Sequence, residues 1–119
     1  MRKIRYRGYN AKNKQWLYGF YIENRLGHFV CPNEFACGKD WDDYEVSEET
    51  VGQFTGISDE KGTEIYEGDK LSDGSTIEWI DTGFTIHTKL GHFPLWKSNI
   101  EGLHVIGNIH DVKQKDIEK

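Results

Sequence analysis

Cysteine, proline and methionine are scarce: the 119 residues hold two cysteines (Cys31, Cys37), two prolines (Pro32, Pro94) and one methionine. Two cysteines in a chain with no targeting signal are expected to be reduced thiols, which excludes a disulfide-built scaffold. They also fall short of a zinc centre. His28, Cys31 and Cys37 give three donors at HxxC and Cx5C spacing, whereas structural zinc takes about four, and no second CxxC or HxxxH pair follows. The expectation is no metal and no cofactor. Long apolar runs are missing as well. Nothing approaches the roughly 20 residues that cross a bilayer, and the opening MRKIRYRG passes directly into polar sequence. A cytoplasmic protein without membrane contact is expected.

The motifs that announce catalysis are absent too. There is no GxSxG elbow, no phosphate-binding P-loop, no GxGxxG after a strand and no HExxH helix. Five histidines are present: His28, His87, His92, His104 and His110. His104 and His110 fall six apart on the predicted last strand, so they share a face at a separation of about 20 Å, too far for one ion. No catalytic residue is assigned, and the protein is not expected to be an enzyme.

What the chain has is glycine and aromatics: 13 Gly, with four Trp, six Tyr and six Phe. That balance favours short strands joined by tight turns. Arg2 to Tyr9 reads as a first strand on which Lys3, Arg5 and Arg7 alternate with Ile4, Tyr6 and Gly8, so the cations form a basic stripe. Trp16, Tyr18, Phe20 and Ile22 then recur at period two, predicting a returning strand with one buried face. A reversal at Asn24 to Gly27 and a strand from His28 to Cys31 complete a meander. Pro32 to Glu49 loses periodicity and reads as an acidic surface loop, with Ser47 as a candidate N-cap for one helical turn. After Val51, strands at Gln53–Ile57, Thr63–Tyr66, Lys70–Ser72, Ser75–Ile80, Phe84–Thr88 and Leu103–Ile109 follow one another closely. Asp73-Gly74 is suited to a type I′ turn, and Gly91 to Asn99 reads as a connection. Several short strands in this space predict a small closed barrel of SH3-like type, because closure protects the edges that a short sheet exposes.

Charge is segregated. Six cations (Arg2, Lys3, Arg5, Arg7, Lys12, Lys14) precede the first acid, Glu23, and residues 16–119 hold the other nine bases and all 20 acids, leaving that portion at −11 and the chain at −5. Nucleic acid would be repelled except at the N-terminal patch, where Tyr6, Tyr9 and Trp16 could stack on single-stranded bases. An acidic decoy imitating DNA is a third reading, resting on Asp40 to Glu49. Lys3, Arg5 and Arg7, with Asp40, Asp42 and Asp43 as the nearest complementary charges, are the candidate binding residues, toward a protein partner or a second copy.

The segment Thr50 to Asp69, TVGQFTGISDEKGTEIYEGD, together with IRYRGYNAKNKQW near the start and LHVIGNIHD near the end, resembles the YopX family, small proteins of bacteriophages and prophages. The chain departs from that pattern at Tyr9-Asn10, where Trp-Asp is expected, and Cys31 to Tyr44 has no clear counterpart. The resemblance implies one β-rich domain, with an N-terminal β subdomain (residues 1–49, including the acidic loop) packed on a barrel-like subdomain (50–112) and a polar tail (113–119). It implies no activity. Gly52, Gln53, Gly56, Glu67, Gly68 and Asp69 carry the motif; for Glu67-Gly68-Asp69 a bend entering a strand, with Asp69 bonded to nearby amides, is preferred to a catalytic carboxylate pair. The expected function is a non-enzymatic protein-interaction module of a phage or prophage, working in the bacterial cytoplasm.

Overall fold

A computed structural model describes residues 4–32, 41–81 and 83–111. The protein is mainly β and antiparallel. It has short 3-10 segments at Trp41–Asp43, Glu48–Thr50 and Lys97–Ile100. Among the described residues no helix is long and apolar enough to cross a membrane. The chain divides into two compact units, residues 1–54 and 55–119.

In the first unit, strands β1 (Tyr6–Asn10), β2 (Gln15–Asn24) and β3 (Gly27–Cys31) form the expected meander, and the start of β4 (Gly52–Ser58) pairs with the free side of β1. The order is β3-β2-β1-β4, so β1 is central. Tyr6 lies opposite Gly19 on one side and opposite Gln53 on the other. The segment after the second 3-10 turn closes over β1: Ser47 N donates to Tyr9 O, and Tyr9 N donates to Thr50 Oγ1 at 2.9 Å. Gly8 is the residue that permits this approach. A Cβ there would stand 2.7 Å from Val46 Cβ, closer than real carbons come. Ser47 does precede the 3-10 turn at Glu48–Thr50, but its side chain makes no cap; Thr50 Oγ1 donates instead to Ser47 O.

Three expectations fail in this unit. Arg7 is buried rather than solvent-facing on a stripe, because β1 lies between two strands and the Arg7 guanidinium packs over Trp16. Conversely, the alternating face of β2 is not buried throughout: Ile22 packs beside Phe29, Cys31, Trp41 and Tyr44, while Tyr18 and Phe20 are about half exposed. Cys31 is also disulfide-bonded rather than a thiol. Cys37, the other cysteine of the sequence, lies outside the described residues.

In the second unit, the end of β4 pairs with β5 (Glu64–Tyr66), and a five-stranded sheet runs β10-β6-β7-β8-β9, built from β6 (Asp69–Leu71), β7 (Thr76–Ile80), β8 (Gly83–Thr88), β9 (Gly91–Pro94) and β10 (Val105–Asn108). Ile65, Leu71, Ile77, Ile86 and Ile100 form one core with Ile57, Leu95, Leu103 and Val105 packed against it. Each fully buried side chain of this size contributes about 1.5–3 kcal/mol relative to exposure. The β4–β5 hairpin and the sheet thus share one core, an arrangement compatible with a small barrel.

Three local readings are corrected here. The loop after β6 is a three-residue connection closed by Leu71 N donating to Ser75 O, and only Gly74 takes positive φ, so it is not type I′. Asp73 is held by its own carboxylate, which accepts from Ser75 N at 2.9 Å and from the Ser75 hydroxyl at 2.5 Å. Gly91–Pro94 is a strand rather than a connection; it is an edge strand, where proline costs no internal ladder bond. On β10 the register shifts between Val105 and Gly107, a bulge that changes the phase of the alternation and leaves Ile109 exposed instead of inward.

Candidate functional site

Among the described residues, the singled-out charges have these surroundings. Arg7 is 5 % exposed, with its guanidinium 5.0 Å over the Trp16 ring, a cation–π contact inside the fold. Arg5 is half-buried, and its carbonyl accepts from Phe54 N. Lys3 and Asp40 lie outside the described residues. Asp43 pairs with Lys12 at 3.0 Å and with Asn13 at 3.4 Å, and hydrogen bonding to Lys12 and Asn13 holds its carboxyl below the usual range. Asp42 offers its carbonyl to the Asn10 amide. The acidic segment is therefore tied to the β1–β2 turn, not to a stripe on β1.

Asn10 organises that attachment. Its side-chain amide donates to Asp42 O (3.1 Å) and Glu45 O (2.7 Å), and its Oδ1 accepts from Asn13 N (2.7 Å). An aspartate here would lack the two donor protons that both carbonyls require.

Gly68 and Asp69 are hydrogen-bonded into the surrounding backbone. Asp69 is 1 % exposed, and its Oδ2 accepts from Tyr66 N at 2.7 Å across the bend at Gly68, whose φ is 92°. Gly68 N donates to Ile77 O and Gly68 O accepts from Ile109 N, so this backbone joins β7 to the end of β10. Glu67 sits in the turn before β6. Gly56 bends β4 at φ 92°, Gly52 is buried opposite Arg7, and Gln53 lies opposite Tyr6.

Two histidine clusters went unread in the sequence. In the first unit, the Tyr21 hydroxyl lies 2.6 Å from His28 Nδ1, and His28 Nε2 is 3.5 Å from Glu48. This chain resembles a proton relay, but burial and the nearby Glu23 and Glu48 carboxylates push the Tyr21 pKa up, which opposes activation of its oxygen. In the second unit, Glu78, His87 and His92 bring one ligand atom each within 4.8 Å of one another on β7, β8 and β9. His87 and His92 are Cα partners, and their rings stack at 4.1 Å. Glu78 lies beside Thr85, whose small side chain lets the carboxylate reach across β8 to His92.

The family model described as YopX protein matches residues 5–113, nearly the whole chain. The chain belongs to the YopX family. No curated protein matches it. In this YopX-family chain, Trp41 packs edge-on against Phe29 at 4.7 Å. The signal that could have revealed the second cluster was present: His87 and His92 flank a turn at Lys89-Leu90, and a five-residue spacing across a tight hairpin makes them direct neighbours. Reading Gly91 to Asn99 as a connection hid it.

Proposed function

We propose that this YopX-family protein is a non-enzymatic protein-interaction module of a phage or prophage, acting in the bacterial cytoplasm, and that its docking face is the outer row of β2. The observation that carries this reading is the exposure of Tyr18 (47 %) and Phe20 (51 %) at consecutive outward positions of a ten-residue strand. Tyr18 belongs to the half of that strand paired with β1 and Phe20 to the half paired with β3, so both rings stand on ladder-bonded backbone and little backbone freedom remains to be lost on docking. Aromatic side chains on such a surface bring large apolar area at low entropic cost, the composition enriched at interface centres. The nucleic-acid alternative loses support, because Arg7 is built into the fold beside Trp16 instead of facing a phosphate.

Placing a photo-crosslinking phenylalanine analogue at Phe20 in cells expressing the protein tests this. A discrete, protease-sensitive adduct is expected from position 20 and not from Lys61, which sits on an exposed turn. An adduct at twice the chain's mass would identify a second copy as the partner. A nuclease-sensitive adduct, or no adduct at position 20, would overturn the reading.

A further inference from the structure

We propose that Glu78, His87 and His92 form a binding site for one divalent transition-metal ion of the zinc class. This inference departs from the metal-free expectation and does not rest on the docking role of β2. The three residues come from three adjacent strands of one sheet, so their backbones are fixed by ladder hydrogen bonds on either side of β8. Two imidazoles and a carboxylate are the donor set that suits zinc, cobalt, nickel or copper, while magnesium and calcium prefer oxygen.

The geometry is close to what an ion requires. His87 Nδ1 lies 3.3 Å from Glu78 Oε1, and His92 Nε2 lies 2.8 Å from Glu78 Oε2. An ion with bonds of ~2.0 Å in tetrahedral geometry spaces its ligands by ~3.3 Å. The side chains are 40–46 % exposed, so rotamer changes of a few tenths of an ångström meet no packing resistance. Both imidazoles already direct a nitrogen at the same carboxylate, and their rings lie within 21° of parallel. An ion would replace the shared protons between these groups with direct bonds. Three protein donors leave a coordination position on the solvent side, open to water or to a donor from another molecule. The ion would also clamp β9, an edge strand, to β7 and β8.

The alternative is a plain hydrogen-bonded cluster, and titrating untagged full-length protein with Zn²⁺ and Co²⁺ distinguishes the two. Calorimetry is expected to show one ion per chain, and Co²⁺ to develop visible absorption bands as nitrogen ligands enter its shell. His92→Ala and Glu78→Gln should each weaken binding by at least the ~10–100-fold that loss of an outer-sphere partner costs in known sites. His92 is exposed and Glu78 half-exposed on the sheet surface, so circular dichroism should show the fold retained. His104→Ala, which removes an imidazole outside the cluster, should leave affinity unchanged. Absence of saturable binding in the parent would overturn the proposal. So would unchanged affinity in the His87→Ala/His92→Ala double variant, which would place the ion elsewhere.

Discussion

Asp59 is predicted to be the most consequential single carboxylate in the second unit. It is 6 % exposed and accepts three backbone amides: Oδ1 takes Lys61 N and Thr63 N, each at 2.9 Å, and Oδ2 takes Val105 N at 2.9 Å. The first two bonds shape the β4–β5 turn, and the third secures the start of β10 from 46 residues away. Asp59→Asn keeps a carbonyl oxygen for the turn but directs an NH₂ group at the Val105 amide, donor against donor. The loss of one charge-assisted bond with a stranded donor corresponds to about 2 kcal/mol. Asp59→Ala loses all three and should cost more, about 3 kcal/mol.

The pH dependence of Asp59 follows from the same contacts. Burial pushes its pKa up, but the bonds from Val105, Thr63 and Lys61, with the nearby His104, together outweigh burial and leave it lowered. A folded pKa below the unfolded value means that the stabilisation is complete above the ordinary carboxylate value of about 4 and disappears as pH falls through the lowered folded value. Urea unfolding of the parent and both variants at pH 7 and across pH 2–5 checks this, with hydrogen exchange of the Val105 amide as a local readout. The gap between parent and Asp59→Asn should close at low pH. A variant as stable as the parent at pH 7, to within about 0.5 kcal/mol, would refute the reasoning, because surface substitutions of no structural consequence fall in that range.

Two further outcomes are expected. Asn10→Asp should destabilise the first unit by about 3 kcal/mol or more, since a buried carboxylate would face the Asp42 and Glu45 carbonyls with no proton to donate; thermal unfolding with a compensating Asn10→Ala comparison measures it. Arg7→Glu should unfold the first unit or lower its stability by about 3–5 kcal/mol, because the substitution buries an unpaired charge beside Trp16; an unchanged urea midpoint would show the site to be more solvated than its exposure implies.

The β class, the N-terminal meander and the family were legible in the chain before any coordinate. They depend on period-two alternation, on glycine-rich turns and on a contiguous motif, all of which are local. The Asp59 contact was not legible, since its third bond spans 46 residues and no spacing rule relates a turn carboxylate to a later strand. The basic stripe failed for a related reason. Alternation shows that Lys3, Arg5 and Arg7 share a face, but only the insertion of β1 between β2 and β4, with the Trp16 ring of β2 against the guanidinium, decided that Arg7 would be enclosed. The bulge in β10 changed the phase of a correctly recognised strand, which sequence periodicity does not encode. Glu78, His87 and His92 met because three strands aligned in register, and register between neighbouring strands is a property of the assembled sheet. Local order came from residue pattern; which side chains are buried, which are exposed and which face one another was decided by tertiary pairing.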